Sequence, residues 1–217
     1  MTVHRKIVDE TAAAVKIVDS PEGLSAIKKA SCAATIWRRQ PLPRFRNWID
    51  RLRAEDLPRA RVVLRPERVR TAMVDLVESF ELPACDERSM LVDDTAALAD
   101  IFARVIRAPY LRLRLDVIKT NSCRKFHIDA ITARLICTYR GSGTQYGIST
   151  HGADPRNVRS VPTASPMVMR GTLWPADAQP GFVHRSPPIE GTGETRLVLV
   201  LDPVADLESD LGEKFLH

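Results

Sequence analysis

His127 and Asp129 stand two residues apart in Cys123-Arg124-Lys125-Phe126-His127-Ile128-Asp129, at the mouth of an apolar run from Ile131 to Tyr139. Side chains alternate across an extended chain, so residues i and i+2 share a face. If the stretch is extended, both side chains point into one cavity. His184, in Phe182-Val183-His184-Arg185-Ser186-Pro187, then supplies a third donor from a distant strand. Two His and one carboxylate make the facial triad that holds non-haem Fe(II) while leaving positions open for a co-substrate and oxygen. Cys123, four residues before His127, reads either as a partly buried thiol or as a fourth ligand that tunes the metal. Asp129 has a plainer reading as a turn cap, and both His as satisfied core residues. The charged setting of each His favours the metal. A Ser186–His184–Asp129 hydrolase is disfavoured, because the chain has no G-x-S-x-G elbow.

Such donors need a frame. After Pro109 the apolar period becomes two: Leu111, Leu113, Leu115 and Val117 alternate with Arg112, Arg114 and Asp116, which predicts a half-buried strand. Ala133 to Tyr139, Met167 to Trp174, Gly181 to His184 and Arg196 to Leu201 read as further strands. Arg140 to Pro166 is polar and rich in Gly, Ser, Thr, Asn and Pro, predicting a long loop of the kind that forms lids. His151 falls in it and reads as solvated.

Upstream the pattern is helical. Ser20-Pro21-Glu22-Gly23 predicts a helix start, and Pro41 and Pro43 break the chain before a helix around Phe45 to Leu52. Pro66-Glu67 opens a helix with Val69, Met73, Leu76, Val77 and Phe80 on one stripe. Asp93-Asp94-Thr95 opens another, carrying Leu98, Ile101, Phe102, Val105 and Ile106. Ala33 to Trp37 reads as a short strand, and the first twenty residues as loosely attached. Helices first and antiparallel strands second predict an α+β fold, a sheet or barrel-like core covered by N-terminal helices.

Composition narrows the classes. Hydrophobic residues at 44% and charged residues at 27% suit a globular domain with a substantial core. No apolar run approaches the roughly 20 residues that span a bilayer, and no apolar core follows the basic start, so the expected compartment is the cytoplasm. Cys32, Cys85, Cys123 and Cys137 include no CxxC pair, which argues against a disulfide framework or a structural zinc ribbon. The net charge of +5 owes much to eleven arginines between Arg38 and Arg70. They read as a solvated helical face; a nucleic-acid footprint is the lesser alternative, because the segment has no RNP or zinc-finger motif.

The order of HxD, long loop, Gly171-Thr172-Leu173-Trp174-Pro175, His184, then Gly193-Glu194-Thr195-Arg196 opening a Leu/Val strand resembles the Fe(II)/2-oxoglutarate dioxygenases. The resemblance implies a double-stranded β-helix, a jelly-roll or cupin-like core with N-terminal helices packed on it. That gives one domain over residues 1–217: a mainly helical part at 1–108, the β-helix with the metal site at 109–203, and a tail at 204–217. It implies His127, Asp129 and His184 as metal ligands. Arg196, twelve residues past His184, becomes the grip on the distal carboxylate of 2-oxoglutarate, because a guanidinium offers two parallel hydrogen bonds. Its plainer reading is a strand-end ion pair. Tyr139 and Thr138 would help bind the co-substrate. Two features depart from the pattern: Leu197 and Val198 follow Arg196 where many such enzymes have Arg-x-Ser, and a thiol at Cys123 would favour zinc.

More specifically, the block from Lys119 to Asp129, then Arg134-Leu135-Ile136-Cys137-Thr138-Tyr139, Val183 to Pro188 and Gly191-Thr192-Gly193 are similar to a bacterial family of unknown function, number 1826. The blocks span most of residues 110–203; the N-terminal half is similar only loosely, through Ile36-Trp37 and the arginines after it. Membership implies no reaction. The setting of the family's genes, near metal-handling GTPases and zinc-responsive regulation, implies a link to metal homeostasis and to metal-handling partner proteins. Two functions stand as expectations. One is an Fe(II)/2-oxoglutarate-type oxygenase acting on a small-molecule or protein substrate. The other is a non-catalytic zinc protein for storage, sensing or delivery, its shell closed by Cys123.

Overall fold

Leu111, Leu113 and Leu115 of β4 (Tyr110–Ile118) are buried on one face, and Arg112, Arg114 and Asp116 take the other. The computed structural model describes residues 14–150, 152–175 and 181–207. In it β4 belongs to a seven-stranded sheet. The spatial order is β1 (Val15–Val18), β2 (Ala34–Trp37), β8 (Met167–Arg170), β5 (Ala133–Arg140), β10 (Arg196–Val204), β4 and β3 (Ala60–Leu64). Only β1 and β2 run parallel; the other neighbours are antiparallel. A smaller sheet holds β7 (Arg159–Ser160), β6 (Gln145–Ile148) and β9 (Phe182–Arg185). From β4 to β10 the chain passes back and forth between the two sheets. That winding is a double-stranded β-helix, and with the helices it makes an α+β fold.

Two apolar layers hold the sheets. Odd-numbered residues of β5 and β10 (Leu135, Cys137, Tyr139, Leu197, Leu199, Leu201) pack against the helices. Even-numbered ones (Ile136, Val198, Val200) join Met167, Met169, Tyr146 and Phe182 between the sheets. Both faces of β10 are therefore apolar, which is why its sequence reads as a continuous run. The helices are α1 (Pro43–Arg51), α2 (Val69–Ser79) and α3 (Asp86–Ile106), with 3-10 turns at Pro21–Lys28 and Pro66–Arg68. Among the described residues no helix is long and apolar enough to cross a membrane.

Several expectations need correction. Helix α3 starts seven residues before Asp93: Cys85 caps it, its sulfur accepting from Arg88 N, and Asp86 and Glu87 supply the acids of the first turn. The N-terminal half adds β1 and β3 to the large sheet beside the expected strand β2. Arg140 to Pro166 is not a bare loop but carries β6 and β7, anchored by buried Tyr146 and Val161. Among the described residues, four arginines from Arg39 to Arg70 are paired with acids: Arg39 with Asp94, Arg44 with Asp86, Arg53 with Asp56 and Arg70 with Asp93. His4, His151 and His217 lie outside the described residues, as does the chain beyond residue 207.

Candidate metal centre

His184 comes from β9, whose inward residues are Phe182 and His184; their rings stack at 6.4 Å and the His is buried. His127 meets that strand at a single bridge. Its N–H donates to the His184 carbonyl and the His184 N–H donates back, each at 3.0 Å. The chain on its N-terminal side bulges away before returning, where Ser186 N–H donates to the Cys123 carbonyl. The Arg185 guanidinium packs 4.4 Å from the Phe126 ring centre there. Within the stretch only His127 pairs with the strand, and Asp129 sits in the loop that enters β5.

That loop is held by the end of β8. Thr172 N–H donates to the Asp129 carbonyl at 2.9 Å and Leu173 N–H to that of Ile131 at 3.1 Å. The approach needs glycine at 171. A Cβ there would stand 2.0 Å from the Ile131 oxygen and 2.7 Å from the Asp129 oxygen.

The three side chains converge. Asp129 Oδ1 lies 3.4 Å from His127 Nε2, and Oδ2 lies 3.2 Å from His184 Nε2. One donor atom from each falls within 4.8 Å of the others. His127 Nδ1–H donates to the Lys125 carbonyl at 2.9 Å, a tautomer that leaves the Nε2 lone pair free. Burial opposes the charge on Asp129, yet His184, Arg134 and His127 outweigh it and hold the carboxyl down at about 2. Burial lowers the pKa of His184, against the pull of Asp129, and so favours the neutral ring a metal needs. Asp129 Oδ2 is buried without a hydrogen bond of good geometry. A half-buried, ionised carboxylate with two imidazole nitrogens at 3.2 and 3.4 Å is a donor set that fits a bound cation. Among the described residues the donor group is two imidazoles and one carboxylate, which leaves further positions open on a metal.

Behind Asp129 stands a pair that sequence reasoning missed. Arg134 NH1 is 2.7 Å from Asp129 Oδ2, and its other two nitrogens grip Asp202 at 2.6 and 2.8 Å. Arg114 NH2 lies 3.5 Å from Asp202. These residues meet because β5 and β10 are antiparallel neighbours in that register. Only the strand period could have hinted at it, since Arg134 shares the inner parity of Ile136 and Thr138.

Two expected participants are placed elsewhere. Cys123 is exposed, and among the described residues the donor group contains only His127, Asp129 and His184. Tyr139 faces the opposite side of its sheet, among the helices, where its hydroxyl donates to Asp94 at 2.8 Å and meets Thr95 at 3.1 Å. Alternation explains the correction: residue 139 shares parity with Leu135 and Cys137, which pack outward. Thr138 does point inward, and its hydroxyl receives Arg196 NH2 at 3.3 Å. Arg196 is buried at the start of β10 and also donates to the Ser142 carbonyl at 2.6 Å. Burial, partly offset by the charge of Glu194, lowers its pKa to about 10. Glu194 is itself held by Ser142 N–H and Oγ.

The fold has known counterparts. Dioxygenase for auxin oxidation 1 from Arabidopsis thaliana, solved as a binary complex with 2-oxoglutarate, superposes with a TM-score of 0.56 at 8% identity, over 90% of this chain and 93% of that one. The dioxygenase for auxin oxidation from rice gives 0.51 at 11% identity, over 90% and 84%. At such identities the likeness is one of fold. Among curated proteins no sequence matches. Residues 18–202 do match one family over most of the chain. This protein belongs to the family described as protein of unknown function, DUF1826.

Proposed function

We propose that the protein is an Fe(II)- and 2-oxoglutarate-dependent oxygenase. One observation carries the reading: two imidazoles and one ionised carboxylate converge on a point with no fourth protein donor among the described residues. A triad of this kind leaves room for a bidentate co-substrate and oxygen. Once bound, the iron and the keto acid would supply the oxygen activation. The chain's own residues do the rest. His127 Nε2 and His184 Nε2 would be the imidazole donors, and Asp129 stays charged at any physiological pH.

Arg196 is the group for the distal carboxylate of 2-oxoglutarate. It is a buried cation whose described hydrogen-bond partners are a carbonyl and a hydroxyl, and Glu194 offsets its charge only in part, so an incoming carboxylate would meet a guanidinium that is incompletely compensated. Thr138 would steady it. Tyr146, Phe182, Val198 and Val200 make the interior between the sheets apolar, which keeps bulk water from the charged groups. The Arabidopsis neighbour's own ligand supports 2-oxoglutarate as the co-substrate to test.

The deciding experiment is calorimetric titration of anaerobic, Fe(II)-loaded protein with 2-oxoglutarate beside Arg196→Ala. The expected result is binding that the variant loses. Binding of equal strength in both would remove Arg196 from the site. No binding in either would remove 2-oxoglutarate. The exposure of Cys123, and its place outside the described donor group, favour this open site over a zinc shell closed by a fourth protein ligand.

A further inference from the structure

We infer that Arg134, backed by Asp202, is a positioning residue that fixes the Asp129 carboxylate as a one-oxygen metal donor. The inference rests on the metal reading above and adds the residues that shape the site.

A carboxylate on a loop can swing about its side-chain bonds and can offer a metal one oxygen or two. Here the choice is restricted. Arg134 NH1 stands 2.7 Å from Oδ2, on the other side of which His184 Nε2 lies at 3.2 Å, while Oδ1 is turned to His127 Nε2 at 3.4 Å. An ion that took both oxygens would have to displace a guanidinium from Oδ2. Arg134 cannot easily yield, because its Nε and NH2 are tied to the two oxygens of Asp202. A fork engaged on two parallel bonds presents its remaining nitrogen in a fixed direction.

The backing is rigid as well. Asp202 is 3% exposed on the central strand β10, and Arg134 is 15% exposed on β5 beside it. Leu135 and Leu201 are paired across the same two strands. Asp202 in turn feels Arg114 at 3.5 Å. The order Arg114, Asp202, Arg134, Asp129 thus runs along the inner face of the large sheet and ends on a metal donor. Each acid lies between or beside cations, so the row is close to neutral. A lone Arg–Asp pair could be structural. A row that ends on the one carboxylate of the donor group, with the backbone of that residue pinned separately by Thr172, has a directional role.

The test uses Co(II) alone as probe, added to the full-length metal-free protein, with affinity read by titration and coordination read from the visible absorption. Wild type is compared with Arg134→Ala, Arg134→Lys and Asp202→Asn. The expected result is a loss of Co(II) affinity of about 10- to 100-fold in Arg134→Ala, the range for groups that orient ligands. Its visible bands should also change intensity, because the freed carboxylate adds an oxygen to the cobalt. Asp202→Asn should shift the bands the same way although it touches no donor, and Arg134→Lys should fail to restore them because an ammonium has no fork. A merely structural role would lower the melting temperature and leave the bands of bound cobalt alone. Folded Arg134→Ala with wild-type affinity and spectrum overturns the inference while the metal reading stands. If Arg134→Ala does not fold, Asp202→Asn decides by the same two readouts. Wild type that takes up no Co(II) overturns both.

Discussion

His127 and His184 are joined twice, once through a reciprocal pair of backbone hydrogen bonds at 3.0 Å and once through side chains whose ring centres lie 4.5 Å apart. The backbone bridge places the rings side by side without help from either imidazole. Ligand and scaffold roles are therefore separable at these positions. His127→Gln and His184→Gln should each keep the fold by circular dichroism and lower Co(II) affinity by more than about 100-fold, beyond what groups behind the ligands cause. Retained affinity in His184→Gln would exclude it from the donor set.

Gly171 carries a different dependence. A methyl at this position has no room, because carbonyl oxygens occupy it at 2.0 and 2.7 Å. Gly171→Ala should cost about 1–3 kcal/mol in urea unfolding, the range for forced overpacking. Since the displaced backbone belongs to Asp129 and Ile131, metal affinity should fall with it. A stable variant with intact affinity would show that the loop can shift without consequence.

Tyr139 tests the side of the sheet that does not carry the site. Its buried hydroxyl serves Asp94, which also takes Arg39, and meets Thr95. Tyr139→Phe leaves those partners short of one bond and should cost about 1–3 kcal/mol. Affinity for Fe(II) and 2-oxoglutarate should be unchanged. A selective loss of 2-oxoglutarate binding would reinstate Tyr139 as a co-substrate residue.

The cysteines should separate by reactivity. Cys123 is exposed, whereas Cys137 is buried and burial drives its thiol up to about 12, opposed by Arg39. Folded protein at neutral pH should give a fast reaction of Cys123 with a thiol reagent, while Cys32 and Cys137 react only after unfolding. Cys123→Ala should bind metal as wild type does.

The strands of the β-helix were legible where alternation or an apolar run was strong, as in β4, β5 and β10. They were illegible where strand-forming residues are isolated: Tyr146 and Val161 sit among Gly, Ser and Thr, so β6 and β7 read as loop. Strand β3 was hidden by the arginines around Val62 and Val63. Helix α3 was begun late because a cysteine cap is an uncommon signal. At the site, the donors announced themselves by type and order. Arg134 and Asp202 did not, because their meeting depends on the register of β5 against β10, which no local pattern encodes. Tyr139 shares the parity of Leu135 and Cys137, which sets it on the helix side of the sheet, away from the donors.

The distance in sequence between the bridged histidines has a consequence for the unfolded chain. An ion held at once by His127 and His184 ties together points 57 residues apart. In a disordered chain that tie would close a long loop, at an entropy cost that the native fold has already met. Metal should therefore bind the native state almost alone. Free ion at 100 times its Kd would then add about 2.7 kcal/mol to stability, as a removable cross-link between the small sheet and the loop that enters the large one. Chelation should lower the melting temperature, and re-addition should restore it.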